Sequence, residues 1–159
     1  MKVRSFSAGL ALLLLALPPS AFAAPDALCA PLRKFVASVG PEEHRELVFR
    51  TSWGGGFSDD PDTTDSVSAR RCEHQNYPAA KRVCDVLIND ASVEFGNVNA
   101  MRAVVCISPD IQFPRLDEFE HGAFSLTYGT EDRGANVSVS FEEDEKIGGM
   151  ALRIVVDGY

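Results

Sequence analysis

Four cysteines, Cys29, Cys72, Cys84 and Cys106, constrain this 159-residue chain more than any other feature. In an exported protein an even set of cysteines reads as disulfides. In a reducing compartment the same residues would read as thiols or metal ligands. The N-terminus points to export. Lys2 and Arg4 form a short positive segment, Leu10 to Leu17 is an apolar run, Pro18-Pro19 breaks it, and Ala21-Phe22-Ala23 offers small residues around a cleavage point. This is the pattern of a secretory signal peptide ending near Ala23. The apolar run is far shorter than the roughly 20 residues needed to span a bilayer. Asp26-Ala27-Leu28, ahead of Cys29, lacks the small residues of a lipoprotein cleavage site. The expectation is a mature chain of residues 24–159, periplasmic or secreted, without a membrane anchor. Two bridges close it in one of three pairings. Zinc is not expected, because no Cys-x2-Cys pair is present and Cys72-Glu73-His74 has no matching second half.

About 136 residues make one domain with a real core, and not two. Apolar residues are 45% of the chain and charged residues 24%, which argues against disorder. Leu28, Leu32, Phe35, Val36 and Val39 keep helical spacing until Gly40-Pro41 stops them. Glu46 to Trp53 alternates as a strand, with Leu47, Phe49, Thr51 and Trp53 on one face. Phe57 to Ser68 reads as a polar loop. Pro78 opens a second helix with a stripe of Ala80, Val83, Cys84, Leu87 and Ile88. A third helix is expected from Asn97, with Val98, Met101, Val105 and Cys106 on one face. A strand over Ala103 to Ile107 is the alternative.

After Pro109 the period changes to two. Phe124, Leu126 and Tyr128, then Val137, Val139 and Phe141, then Met150, Leu152, Ile154 and Val156 alternate with other residues, and glycine-bearing turns separate the runs. The fold class expected is α+β: an antiparallel sheet of about four strands packed against two or three helices, with two disulfides.

Charge narrows the partners. Without Lys2 and Arg4 the chain carries 13 basic and 23 acidic side chains, a net of −10, and the excess is concentrated after Pro109. Nucleic acid and anionic membrane need basic patches, so neither is an expected partner. A basic partner would be steered in; the plainer role of the charge is solubility. Glu142-Glu143-Asp144-Glu145 falls at a hairpin tip, where four like charges must be solvated or meet a basic surface.

No cofactor is expected. Trp53-Gly54-Gly55-Gly56-Phe57 is the most unusual local sequence, but it lacks the spacing of a phosphate loop. Its two aromatics are either core residues around a bulge or, beside Asp59 and Asp60, a recognition surface. Asp59, Asp60, Asp62 and Asp65 could gather around calcium, although the EF-hand spacing fails. His74, two residues after Cys72 and between Arg70-Arg71 and Lys81-Arg82, is either a contact residue or a helix cap. His121 lies among Asp117, Glu118 and Glu120. No nucleophilic-serine motif accompanies either histidine.

The functional expectation is an exported, non-catalytic protein-binding module of the bacterial cell envelope, inhibitor- or immunity-like, whose acidic surface meets a basic secreted or envelope enzyme. Its candidate contacts are Trp53, Phe57, Asp59, Asp60, His74, Glu142, Glu143, Asp144 and Glu145. The alternatives are a small secreted hydrolase using His74 or His121 with nearby carboxylates, and a calcium- or small-ligand-binding envelope protein.

Overall fold

The computed structural model describes residues 26–63, 65–113 and 119–159. The expected signal peptide, and Asp117 and Glu118, lie outside these described residues. In chain order the elements are α1 (Cys29–Ser38), β1 (His44–Trp53), a short 3-10 turn (Pro61–Thr63), β2 (Ser68–Glu73), α2 (Pro78–Asp90), α3 (Gly96–Ile107), β3 (Gly122–Gly129), β4 (Gly134–Glu143) and β5 (Met150–Gly158). Five strands form one antiparallel sheet in the order β2-β1-β5-β4-β3. Three helices cover one face, so the architecture is the expected two-layer α+β.

The sheet has one strand more than the expected four. The extra strand is β2, Ser-Ala-Arg-Arg-Cys-Glu, which has no apolar alternation to mark it. It pairs with β1 from Val48↔Glu73 to Trp53↔Ser68, and its place is set by tertiary contacts. Residues 103–107 belong to α3 and not to a strand.

The inner face of the sheet carries Leu47 and Phe49 from β1, Val137, Val139 and Phe141 from β4, and Leu152, Ile154 and Val156 from β5. Leu32, Phe35 and Val36 of α1, Val83 and Leu87 of α2, and Val104 of α3 pack onto them. Each such side chain contributes about 1.5–3 kcal/mol by leaving water. Ile88 and Val105, which the periodicity assigns to buried stripes, keep partial exposure at the helix flanks. Asn99 is the polar residue of the helical layer. It accepts from the Ser92 N–H at 3.0 Å and donates to the Ser92 carbonyl at 2.7 Å, which fixes the link between α2 and α3.

The disulfides are Cys29–Cys106, joining α1 to α3, and Cys72–Cys84, joining β2 to α2. One staples the helices to each other. The other staples the helical layer to the edge of the sheet.

The β4–β5 hairpin turns through Gly148 and Gly149, at φ of 81° and 80°. A Cβ on Gly148 would meet nothing, whereas one on Gly149 would run into the Thr51 carbonyl oxygen. Gly148→Ala is therefore expected to cost about 1 kcal/mol, from backbone strain alone. Gly149→Ala is expected to cost about 3 kcal/mol, because β1 must also give way. Denaturant midpoints of the two variants check this; equal losses would contradict it.

Candidate functional site

The face of the sheet turned away from the helices is not a plain wet surface. On β1 it presents Glu46, Val48, Arg50 and Ser52, and on β2 Ala69, Arg71 and Glu73. The segment after β1 folds back over it. Phe57 lies at 2% exposure beneath Arg71, whose guanidinium carbon is 4.7 Å from the ring centroid. Arg71 donates to both carboxylate oxygens of Asp59, at 2.8 and 2.9 Å, and lies 3.5 Å from Asp60. The Ser58 N–H donates to the Ile147 carbonyl at 2.9 Å, and this ties the segment to the β4–β5 hairpin.

Arg50 is the centre of this layer. Only 9% exposed, it donates to Asp144 at 2.9 Å and to Glu73 at 2.7 Å. Asp144 also accepts from the backbone N–H groups of Lys146 and Ile147, at 3.1 and 3.3 Å, so it shapes the hairpin turn as well. The Arg50 guanidinium, aided by those N–H groups, holds the Asp144 carboxyl below the usual carboxylate range. Arg71 does the same for Asp59. Arg153 pairs with Glu46 across the sheet. A cleft of about 460 Å³ runs along this layer, walled by Arg50, Arg153 and the hairpin acids.

The expected contact residues thus divide. Asp59, Asp60 and Asp144 are engaged by arginines of the same chain, and Phe57 is a buried support for Arg71. Glu142, Glu143 and Glu145 stay exposed at the hairpin. Trp53 is 58% exposed, so the two aromatics of the glycine-rich segment have opposite fates. Trp53 borders a second cleft, of about 250 Å³, with Val93, Glu94, Glu143 and Met150. Glu143 walls both clefts, so the hairpin forms the ridge between them.

Comparison of the chain with protein-family models, curated proteins and solved structures finds no match.

Beside Trp53 stands a residue that the sequence reading passed over. Phe95, 60% exposed, lies in the chain between Glu94 and Gly96, which line the same cleft, and is not itself part of the lining. It occupies the N-cap of α3 and makes no side-chain capping bond there. An aromatic where Ser, Thr, Asp or Asn is preferred was the available signal, since it does nothing for the helix. Val67, exposed as well, lies against the same end of β1, where its carbonyl accepts from the Gly54 N–H at 2.9 Å. The end of the molecule near Trp53 therefore presents three exposed apolar side chains with Glu94 and Glu143 among them.

His74 is elsewhere. Ser68 of β2 sits opposite Trp53, and six residues of strand separate Ser68 from His74, roughly 20 Å. Its buried Nδ1 has no hydrogen-bond partner among the described residues. His121 is exposed. Among the described residues the histidine paired with a carboxylate is His44, with Asp157 at 2.7 Å and both side chains exposed. No group of three His, Cys, Asp or Glu side chains converges as a metal site among the described residues. No helix among them is long and apolar enough to cross a membrane.

Proposed function

We propose that the protein is an exported, non-catalytic protein-binding module of the bacterial cell envelope, inhibitor- or immunity-like, that engages a basic partner enzyme. The observation that carries this reading is Trp53, more than half exposed, in the lining of one cleft with Glu94 and Glu143, while Phe95, also more than half exposed, follows Glu94 in the chain. Exposed aromatics supply contact area at small entropic cost and dominate interface energies. The flanking acids of the hairpin supply the field that speeds encounter with a positive surface. Rigidity supports the reading too. The hairpin is fixed by Asp144 and Arg50, and the segment after β1 by Ser58, so little ordering is needed on binding.

The test begins with capture. The oxidised chain lacking residues 1–23 is immobilised and exposed to envelope and secreted extracts at low and high salt. A basic enzyme retained at low salt is then purified and its binding kinetics measured. Trp53→Ala is expected to weaken binding at least tenfold through faster dissociation, as loss of about 2 kcal/mol at an aromatic anchor implies. Replacing Glu142, Glu143 and Glu145 by Gln is expected to slow association and flatten its dependence on salt. Asp144 is left in place in that variant, because it holds Arg50. Association and dissociation rates that ignore both changes would sink the assignment of this surface.

A further inference from the structure

The two edges of the sheet are built differently. β2, at one edge, has six residues, three of them charged, and is tied to α2 by Cys72–Cys84. Charge and a covering element are the ordinary ways of keeping an edge strand from pairing. β3, at the other edge, is Gly-Ala-Phe-Ser-Leu-Thr-Tyr-Gly, eight residues without a charge or a proline in a chain that is 24% charged. Its pairing with β4 is continuous from Gly122↔Phe141 to Gly129↔Gly134, with no bulge to bend it. Among the described residues no strand lies on its outer side.

The hairpin fixes the direction of its free backbone groups. Thr130 and Arg133 exchange N–H to carbonyl bonds, at 2.9 and 3.3 Å, at the head of the β3–β4 hairpin. In an antiparallel ladder bonded and non-bonded pairs alternate. Phe124, Leu126 and Tyr128 therefore bond to β4, while Ala123, Ser125 and Thr127 turn their N–H and C=O groups outward. The side chains follow the same division. Ala123, Ser125 and Thr127 are exposed on the outer face, and Phe124, Leu126 and Tyr128 are half-buried against the core.

We infer that β3 is a self-association edge, where a second copy of this chain adds its own β3 antiparallel to form one ten-stranded sheet. A copy of this chain suits the edge because two acidic molecules can approach closely only where neither carries charge, and β3 is the charge-free edge. The pairing is self-complementary. With the two-fold axis at Leu126, Ser125 lies opposite Thr127 of the second copy, and the two exchange outward-facing bonds. Phe124 of the second copy then lies opposite Tyr128, which borders a cleft of about 250 Å³ between β3 and α1, lined by Val36, Ala37 and Val39. One strand pair is smaller than a standard interface of roughly 800 Å² per partner, so dissociation in the range of about 10–100 µM is expected.

Sedimentation equilibrium of the oxidised chain lacking residues 1–23, across that concentration range, tests the inference. A monomer–dimer equilibrium that tightens as salt screens the acidic charge is expected. Binding of a basic partner responds to salt in the opposite sense, so the two interfaces can be told apart. Ser125→Pro removes an outward N–H that β4 does not use, and proline is tolerated on an edge strand. It is expected to weaken the dimer at least tenfold with the thermal midpoint held. The double variant Ser125→Asp, Thr127→Asp changes exposed side chains only, sets like charges across the axis, and is expected to be monomeric. A wild-type chain that stays monomeric throughout, as it would if the edge took a strand of another protein, would overturn the inference. So would a dimer that both variants leave intact.

Discussion

Replacing Cys29 and Cys106 together by alanine is expected to cost about 4.5 kcal/mol of folding stability, against about 3 kcal/mol for Cys72 and Cys84. The difference comes from loop length. The first bridge spans 77 residues and the second 12, and the entropy that a cross-link removes from the unfolded chain grows with the logarithm of the loop it closes. Location points the same way. Cys29–Cys106 anchors α1, the element that supplies Leu32, Phe35 and Val36 to the core. A domain of this size has a net stability of about 5–15 kcal/mol, so losing the long bridge brings it near unfolding at ambient temperature. Urea titrations of the two double variants, each with the other bridge intact, measure the order. Equal losses, or a larger loss for the short loop, would refute it.

Arg50→Ala is expected to cost about 4 kcal/mol, and to change how stability depends on pH. Its largely buried side chain bonds both Asp144 and Glu73, so removing the guanidinium breaks two charge-assisted bonds and frees the hairpin turn. Arg71→Ala, which breaks the more exposed pair with Asp59, is expected to cost less. The sign of the pH effect follows from Asp144. Its carboxyl is held below its ordinary value in the folded chain, chiefly by the bond from Arg50. The unfolded chain therefore takes up the proton first as the solution is acidified. Stability from the pair is complete above the ordinary carboxylate pKa of about 4 and is lost as pH falls below it toward the folded value. In Arg50→Ala that component is gone, and the stability curve between about pH 5 and pH 3 is expected to flatten. Chemical denaturation at a series of pH values compares the two proteins. A variant as steep as the wild type would show that Asp144 draws its low pKa from the turn alone.

Where each element's period was strong, the sequence placed it. The core strands β4 and β5 and the helices α1, α2 and α3 each put apolar residues at regular intervals, and a regular interval survives without tertiary information. β2 did not, because its faces are filled by residues that look polar in isolation. Cys72 becomes apolar by entering a disulfide, and Arg71 covers Phe57 with its guanidinium. The surface was readable in part for a similar reason. The exposed acids of the hairpin announce themselves as a run. The engagement of Asp144 by Arg50 links residues 94 positions apart, and no local pattern carries that. Trp53 and Phe57 were two alternatives for one segment, and the structure takes one residue each way.

The position of β5 bears on how the chain matures. It follows the other four strands in the chain, yet it lies between β1 and β4 and, among the described residues, is what joins the two halves of the sheet. Until residues 150–158 are in place, β1 with β2 and β3 with β4 are separate ribbons that share only a helical cover, with α2 against the first and α1 and α3 against the second. A chain that ends before β5 therefore cannot form the continuous native sheet. The sheet closes late, by a high-contact-order step that inserts β5 into the gap between β1 and β4. Both cysteines of the long bridge precede that strand, so the bridge can form while the gap is still open.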